Sequence, residues 1–412
     1  MSVSKGLLSV DEALAQLMAG ARPVDEIETV PTLQAIGRVL AKPVQSGMNV
    51  PPMDNSAMDG YAVRVADIPR AGTRLKVSQR IQAGAVGGPL AAGTVARIFT
   101  GAPIPAGANA IVIQEDTETI KSEDGEEVVF NAIPKLGEWV RAAGLDVPMG
   151  QDMLHAGIKL KPQQVGLAAS VGIASLQVYR RVKLGLIFPG DELAMPGETL
   201  KPGSIYNSNR FTLTGLAQAL GCEVRDYGIV RDDLQVMRDV LRKAAEECDI
   251  VVTNGGVSVG EADFVKPAVE AEGELLMWRI AMKPGRPLAY GHVKRADGSK
   301  ASFIGLPGNP VSSFVTFLWF ARPFVLRTQG MEEVAPRVLK MRADFEWPQP
   351  DARREFLRVR WNAQGGLDLY RTQDSAVLSS TAWADGLVDN PAKGVIRKGD
   401  LVSFVPYSEL GQ

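Results

Sequence analysis

The segment 249–263, Asp-Ile-Val-Val-Thr-Asn-Gly-Gly-Val-Ser-Val-Gly-Glu-Ala-Asp, constrains the fold more than any other stretch of the chain. Its run of apolar, β-branched residues predicts a strand buried on both faces of a parallel sheet. Three glycines within six residues follow, and a helix is predicted over 263–271. A strand that leads through a glycine-rich turn into a helix presents free backbone N–H groups and the positive end of the helix dipole. This arrangement suits a bound phosphate.

The spacing of these glycines matches neither the dinucleotide-binding motif nor the P-loop, so neither of those nucleotide sites is predicted. Taken alone, the loop fits an ordinary turn between a strand and a helix as well as it fits a phosphate site. Asp263 favours the phosphate site, because a divalent cation can bridge its carboxylate and a phosphate. The candidate binding residues of this loop are Gly255, Gly256, Ser258 and Gly260.

From Val182 onward, predicted strands and helices alternate, which indicates a doubly wound α/β domain. The predicted strands are 182–188, 223–229, 249–253, 274–280, 288–292 and 302–306. The predicted helices are 210–220, with Asn209 as its cap, 232–246, 263–271 and 311–327.

In such domains ligands bind beyond the carboxyl ends of the strands. The polar and glycine-rich clusters of this domain fall at those ends, in the segments 189–192, 232–233, 254–263, 283–286 and 307–312. This coincidence predicts one ligand cleft at that edge of the sheet more strongly than any single motif does.

The clusters carry chemistry suited to anions and metal ions. Lys283 and Arg286 offer cationic donors for an oxyanion, and arginine can engage it with two parallel hydrogen bonds. Glu192, Asp232 and Asp263 can hold Mg²⁺ or take part in proton transfer. Two simpler hypotheses are that Asp232 is only a helix cap and that the 283–286 turn is only a solvated surface turn.

The rest of the chain is organised differently. Ser9 and Glu12 predict a capping box that begins the first helix, and Pro162 predicts the start of another. Short strands separated by Gly/Pro turns predict a small β domain over 72–139, with a hairpin turn at 124–125. Further strands at 355–361, 367–372 and 401–406 predict a C-terminal β domain.

Bulk properties limit the classes of function. At 412 residues the chain is too long for one core. A formal charge of −2 does not favour nucleic acid or a membrane surface as partner. Two histidines leave almost no room for a histidine-rich metal site or a Ser-His-Asp hydrolase. Cys222 and Cys248 form no C-x-x-C pair, which favours a reduced, cytoplasmic setting. Neither a signal peptide nor a membrane span is expected.

Six sequence motifs occur in one order along the chain. They are PPMDNSAMDGYA at 51–62, FTGAP at 99–103, PGDEL at 189–193, TNGGVSVG at 253–260, KPGRP at 283–287 and LPGNPVS at 306–312. Together they resemble the molybdopterin molybdenumtransferase family (MoeA), which the E domain of gephyrin also resembles. The resemblance runs from about residue 9 to residue 406.

The resemblance implies insertion of molybdate into adenylylated molybdopterin, with release of AMP and with Mg²⁺ present. It implies an elongated homodimer whose cleft combines the α/β domain of one subunit with loop-rich domains of the other. A molybdopterin adenylyltransferase is the implied upstream partner. The expected domains are an α+β dimerisation domain (1–50 with 140–180), a small β domain (51–139), the α/β domain (181–329) and a barrel-like C-terminal β domain (330–412).

By motif position, the resemblance also implies individual site residues. The functionally sensitive polar residues would be Asp59, Thr100, Asp146, Glu192, Asp232 and Asp263, with Glu192 and Asp263 as metal ligands. The molybdate pocket would contain Lys283, Arg286, Ser312, Arg353 and Ser375. Substrate would also contact Pro307, Gly308 and Asn309.

The sequence departs from the family pattern in three places. Arg286 stands where lysine is frequent, Asp374 interrupts a glycine-rich Q-G-S-G-type stretch, and 386–391 strays from an apolar strand. These departures leave open a paralogue that prefers tungstate or has reduced activity. The rival hypotheses for the chain as a whole are a nucleotide pyrophosphatase, an adenylyltransferase and a non-catalytic molybdopterin-binding scaffold.

Overall fold

The structure is a computed structural model that describes residues 7–123, 125–256 and 264–411. The predicted turn residue Asp124 and the candidates Ser258, Gly260 and Asp263 lie outside the described residues. The α-helices are Val10–Ala19, Pro162–Ser170, Ser208–Ala219, Leu234–Glu247, Val265–Glu272, Pro310–Thr316, Arg322–Thr328 and Ser379–Trp383, with the π-helical turn Phe317–Ala321 joining the sixth and seventh. No helix in the described ranges has the length and apolar character that crossing a bilayer requires.

The first two helices begin as predicted. Ser9 accepts a hydrogen bond from the Glu12 backbone, and the Glu12 carboxylate accepts one from the Ser9 N–H. This reciprocal capping satisfies two N–H groups that would otherwise have no partner within the helix. Pro162 occupies the first turn of the second helix, where its missing N–H costs nothing.

The segments before and after the small β domain pair with each other. Three short antiparallel pairs connect them: Ile27–Pro31 with Ser175–Tyr179, Val44–Gln45 with Asp152–Leu154, and Asn55–Ser56 with Val140–Arg141. The chain therefore leaves this unit near Ser56 and returns to it near Val140.

Between those points lies a six-stranded sheet. In spatial order its strands are Ala110–Ile113, Gly60–Val63, Thr94–Ile98, Thr73–Ile81, Gly125–Phe130 and Thr117–Ser122. Tyr61, Val95 and Phe130 are buried in a core on one face of this sheet. The small β domain predicted from the short strands and Gly/Pro turns is present here.

A second six-stranded sheet forms the α/β domain. In spatial order its strands are Glu223–Val230, Lys183–Pro189, Ile250–Asn254, Lys300–Leu306, Pro287–Lys294 and Gly273–Arg279. The first four run parallel to one another, Pro287–Lys294 runs antiparallel to them, and Gly273–Arg279 pairs antiparallel with Pro287–Lys294. Every residue of Ile250–Asn254 is buried, which confirms the prediction of a strand covered on both faces.

Helices cover both faces of this sheet. Leu213 on one helix packs into the core on one face, and Met237, Leu241 and Val269 pack into the core on the other. The predicted doubly wound α/β class is confirmed, with an antiparallel hairpin added at one edge.

Two predicted helix starts are wrong. The third helix begins at Ser208 and its cap is Asn207 rather than Asn209, because the Asn207 side chain accepts the Arg210 N–H. The next helix begins at Leu234 with Asp233 as its cap. Asp232 is therefore not the cap, which removes the hypothesis that capping alone explains this carboxylate.

The C-terminal β domain contains a third six-stranded arrangement. Its strands are ordered Met282–Lys283, Arg354–Trp361, Gly386–Asn390, Leu401–Pro406 and Leu339–Arg342, with Leu367–Leu369 paired to the second. The segment 386–391, which departs from the family's sequence pattern, therefore still contains a largely buried strand. Met282–Lys283 pairs with Arg354–Glu355, which ties the 283–286 turn of the α/β domain to the C-terminal domain.

Candidate active site

The carboxyl ends of the parallel strands open into a cleft of about 870 Å³, at the edge where the sequence predicted a ligand. The cleft lies between the α/β domain and the C-terminal β domain. Twelve predicted residues line it: Glu192, Asp232, Gly255, Gly256, Lys283, Arg286, Pro307, Gly308, Asn309, Ser312, Arg353 and Ser375. Ser258, Gly260 and Asp263 are outside the described residues, and Asp59, Thr100 and Asp146 do not line the cleft.

Three basic side chains, Lys283, Arg286 and Arg353, form what we call the cation cluster. The Lys283 Nζ atom lies 3.5 Å from Asp351 Oδ2 and 3.4 Å from Glu355 Oε1. Glu355 is only 1% exposed. The strand pairing described above brings these groups together, because Lys283 and Glu355 are direct neighbours across it.

Carboxylates orient the cation cluster. Arg353 donates from Nε and Nη2 to the two oxygens of Asp351, at 2.9 and 2.8 Å. These hydrogen bonds hold the pKa of Asp351 well below its usual range and raise the pKa of Arg353. Glu355 also accepts the Trp347 Nε1–H at 2.7 Å and the Asp351 N–H at 3.1 Å. Among the described residues Arg286 has no ion pair, and its side chain is exposed.

The wall beside the cation cluster is the segment 373–375. The Ser375 carbonyl accepts the Val311 N–H at 3.0 Å, and Asn309 Nδ2 donates to Ser375 Oγ at 3.2 Å. The unusual Asp374 accepts the Ala376 N–H at 2.8 Å. This acid therefore closes a local turn while it lines the cleft.

A fully buried arginine supports this wall from behind. Arg358 is 0% exposed and donates to the Asp374 carbonyl and to Ser380 Oγ, both at 3.1 Å. Burial lowers its pKa to about 10. It forms no salt bridge within the described residues, although buried charges are usually paired. The sequence did not point to Arg358, because an arginine in an alternating strand pattern is expected to face solvent.

A network of amides connects Asn254, at the end of its strand, to the segment 307–313. Asn254 Nδ2 donates to the Pro307 carbonyl at 2.8 Å and to Ser313 Oγ at 2.7 Å. Asn209 Nδ2 donates to Asn254 Oδ1 and to the Gly308 carbonyl, both at 2.7 Å. Asn209 was missed as a site residue because the sequence pattern predicted only a helix cap at this position.

Two carboxylates line the cleft at the ends of neighbouring strands. Glu192 folds back over Gly190, where a Cβ atom would come within 2.5 Å of the carboxylate and where φ is +140°. The positive φ favours glycine at this position, because residues with a Cβ atom rarely adopt that backbone angle. Asp232 is the second carboxylate.

No cluster of three or more metal-binding side chains occurs in the described ranges. A pair of carboxylates fits Mg²⁺, because this ion commonly uses one or two carboxylates together with substrate phosphates.

Asp59 and Thr100 form a separate pair. Both the backbone N–H and the hydroxyl of Thr100 donate to Asp59 Oδ1 at 2.8 Å, which lowers the pKa of Asp59. Asp146 lies in an exposed loop whose backbone pairs with Val50. The functional roles given to these three residues stay predictions.

Comparisons with known proteins agree with this arrangement. Residues 8–172 match "MoeA N-terminal region (domain I and II)", residues 185–327 match "Probable molybdopterin binding domain", and residues 340–407 match "MoeA C-terminal region (domain IV)". A protein of Haemophilus influenzae named molybdopterin molybdenumtransferase is 34% identical over 98% of this chain and 100% of its own length. The chain belongs to the molybdopterin molybdenumtransferase family.

Other relatives span nearly the whole chain too. Molybdopterin molybdenumtransferase 2 of Mycobacterium tuberculosis is 35% identical over 92% of this chain and 93% of its own length. The crystal structure of a molybdopterin biosynthesis MoeA protein from Pyrococcus horikoshii is 29% identical, covers 98% of this chain and 100% of its own, and superimposes with a TM-score of 0.83. The family and the fold class predicted from the sequence are both confirmed.

Proposed function

We propose that this member of the molybdopterin molybdenumtransferase family inserts molybdate into adenylylated molybdopterin and releases AMP. The observation that carries the proposal is one cleft that holds the cation cluster together with the glycine turn Gly255–Gly256 and the carboxylates of Glu192 and Asp232. Cationic donors suit molybdate, and backbone N–H groups together with a metal ion suit a phosphate ester. Few reactions need both anions in the same cleft.

Each anion has candidate partners. Lys283 and Arg353 are already oriented by carboxylates and can donate to a tetrahedral oxyanion, with the hydroxyl groups of Ser312 and Ser375 as further donors. Glu192 and Asp232 would hold Mg²⁺, together with Asp263 if its carboxylate reaches the cleft. When bound there, the metal ion would neutralise phosphate charge and so assist departure of AMP.

We also propose a homodimer in which each cleft is completed by the partner subunit. Asp59, Thr100 and Asp146 lie outside the cleft of their own chain, although the family resemblance gives them functional roles. Large apolar side chains are exposed in the same N-terminal half of the chain, including Leu136 at 76% and Met149 at 69%. Such a surface suits a subunit contact. A cytoplasmic location and an upstream molybdopterin adenylyltransferase complete the proposal.

The decisive assay combines the purified protein with adenylylated molybdopterin, Mg²⁺ and molybdate, and measures AMP and active cofactor. We expect both products, and neither when molybdate is omitted. Release of AMP without molybdate would identify a pyrophosphatase instead. Tungstate in place of molybdate tests the hypothesis of an altered metal preference, and binding of the pterin substrate without turnover would identify a scaffold.

The shared cleft has its own test. Asp59→Asn and Asp263→Asn proteins, each expected to be inactive, are mixed under conditions of subunit exchange. Heterodimers should recover part of the activity, because one of their two clefts then contains both wild-type carboxylates. Verified heterodimers without recovery would contradict the shared cleft.

A further inference from the structure

The helix Ser208–Ala219 begins at the cleft, and none of its first residues was predicted from the sequence to bind a ligand. Asn207, Ser208 and Asn209 all line the cleft. The first N–H groups of a helix have no partner within it and carry the positive end of its dipole. The helix has 12 residues, enough for a developed dipole.

A second observation at the same place points to a ligand. Asn207 is 2% exposed, and its Nδ2 amide group has no hydrogen-bond partner in the described part of the chain. Its orientation is determined, because Oδ1 accepts the Arg210 N–H at 3.1 Å and an exchanged amide would place two donors face to face. Buried donors are rarely left without an acceptor. Because Asn207 lines the cleft, a ligand bound there can supply the acceptor.

Neighbouring groups narrow the class of that molecule. The Asn209 amide is occupied by Asn254 and Gly308, so the Asn207 amide is a donor still available at this helix end. A ligand there must accept hydrogen bonds and benefits from negative charge. The carboxylates of Glu192 and Asp232 line the same cleft, and they favour an anion that carries a metal ion. A phosphate ester complexed with Mg²⁺ meets these conditions.

We propose that the Asn207 amide and the N-terminus of the Ser208–Ala219 helix, here called the amide site, bind a phosphate of the adenylyl group of the substrate. This assignment rests on the proposed function and names a subsite within it. The amide site is distinct from the cation cluster, whose orientation depends on carboxylates of the C-terminal domain.

The test uses two substitutions that keep the helix cap. Asn207→Asp and Asn207→Ser both retain an oxygen that can accept the Arg210 N–H, and both residues are good caps. Each removes the amide donor, and aspartate adds a negative charge. Titration calorimetry with Mg²⁺ measures the affinities of AMP, inorganic pyrophosphate and molybdate. We expect AMP and pyrophosphate to bind roughly tenfold more weakly to Asn207→Ser, and more weakly still to Asn207→Asp.

Molybdate affinity and the melting temperature should stay close to those of the wild type. Asp233→Asn is the matched control, because it exchanges an aspartate and an asparagine cap on the Leu234–Glu247 helix, and Asp233 does not line the cleft. Unchanged affinity for AMP and pyrophosphate in both Asn207 variants would overturn the amide site. So would a selective loss of molybdate, which would assign that anion to the helix end.

The two proposals fail separately. If the wild-type protein makes no cofactor but Asn207→Ser binds AMP more weakly than the wild type, the proposed function fails and the phosphate subsite stands. If wild-type protein makes cofactor and the substitutions change no phosphate affinity, the subsite fails alone. Should Asn207→Asp not fold, Asn207→Ser decides the question, because it adds no charge.

Discussion

The cation cluster and the amide site offer an anion two different kinds of partner within one cleft. The cation cluster consists of full charges on long side chains, and Asp351 and Glu355 hold two of them in place. The amide site uses neutral donors on a helix end. Full charges attract a dianion strongly but need a structure that orients them, whereas a helix end is oriented by its own backbone.

The orienting carboxylates also limit the charge of the cluster. Three basic side chains and two carboxylates leave a net charge of +1. Binding of free molybdate is therefore weaker than three unpaired cations would make it. In exchange, Lys283 and Arg353 need little rearrangement when the anion arrives, which is the condition under which electrostatic stabilisation helps a reaction most.

The first and largest prediction removes one charge from the cluster. Lys283→Ala should weaken the use of molybdate by roughly ten- to a hundredfold, because a hydrogen bond to a charged group contributes about 1.5–3 kcal/mol. Affinity for AMP should change little, since the amide site lies on another element. The measurement is the apparent KM for molybdate beside the calorimetric affinity for AMP.

Lys294→Ala is the control for that substitution, because it removes an exposed lysine at the end of the Pro287–Lys294 strand. It should alter neither affinity. If Lys283→Ala weakened AMP and molybdate equally, the two anions would share one site and the contrast between the cation cluster and the amide site would be wrong.

The sequence carried more information about the α/β side of the cleft than about the opposite wall. The buried strands could be predicted because burial on both faces leaves a continuous apolar run in the sequence. The turns after them could be predicted because a tight turn favours glycine. The rule for strand ends then placed Glu192, Gly255 and Lys283 at one edge, where the structure has them.

The orienting residues could not be predicted from such patterns. Asp351 and Glu355 are ordinary charged residues in and beside a predicted strand until the fold brings both of them next to Lys283. Arg358 and Asn207 are comparable cases, because a buried polar group is defined by what surrounds it. The predicted starts of the third and fourth helices, 210 and 232, were each wrong by two residues for a related reason. Several polar residues stood side by side, and sequence alone does not say which one bonds to the helix.

The second prediction disturbs the turn that carries two of the cations. Gly285 has φ of +95°, and a Cβ atom there would lie 2.4 Å from Thr316 Oγ1. Gly285→Ala must therefore displace the turn. We expect molybdate use to fall roughly tenfold and the free energy of unfolding to fall by about 1–3 kcal/mol.

Gly298→Ala separates the two causes of that effect, which are backbone strain and steric overlap. Its φ of +86° imposes the same backbone strain, but no atom lies within 4 Å of the added carbon. It should lower stability alone and leave molybdate use unchanged. Equal stability losses in both variants, with normal molybdate use in both, would show that the 283–286 turn is not part of the oxyanion pocket.

The smallest effect on molybdate is expected from Asp351→Asn. This substitution keeps an oxygen that can accept the Arg353 N–H groups but removes one negative charge from the cluster. Molybdate should then bind a few-fold more tightly, because the cluster becomes more positive, while kcat falls because Lys283 and Arg353 are less well oriented. A lower KM combined with a lower kcat would show that Asp351 orients the cations for the reaction and at the same time weakens their attraction for molybdate. A loss of affinity would mean that orientation governs binding as well.

The pH dependence of stability provides an independent check on the same carboxylate. Hydrogen bonds from Arg353 lower the pKa of Asp351 below its ordinary value of 3.8, so the folded protein holds this carboxylate ionised more firmly than the unfolded chain does. The resulting stabilisation is complete above about pH 4 and is lost as the pH falls through the lowered pKa. The difference in melting temperature between wild type and Asp351→Asn should therefore be constant from about pH 8 to about pH 5 and shrink only below about pH 4. A difference that already vanished near about pH 6 would show that the Arg353–Asp351 pair does not hold the cluster in solution.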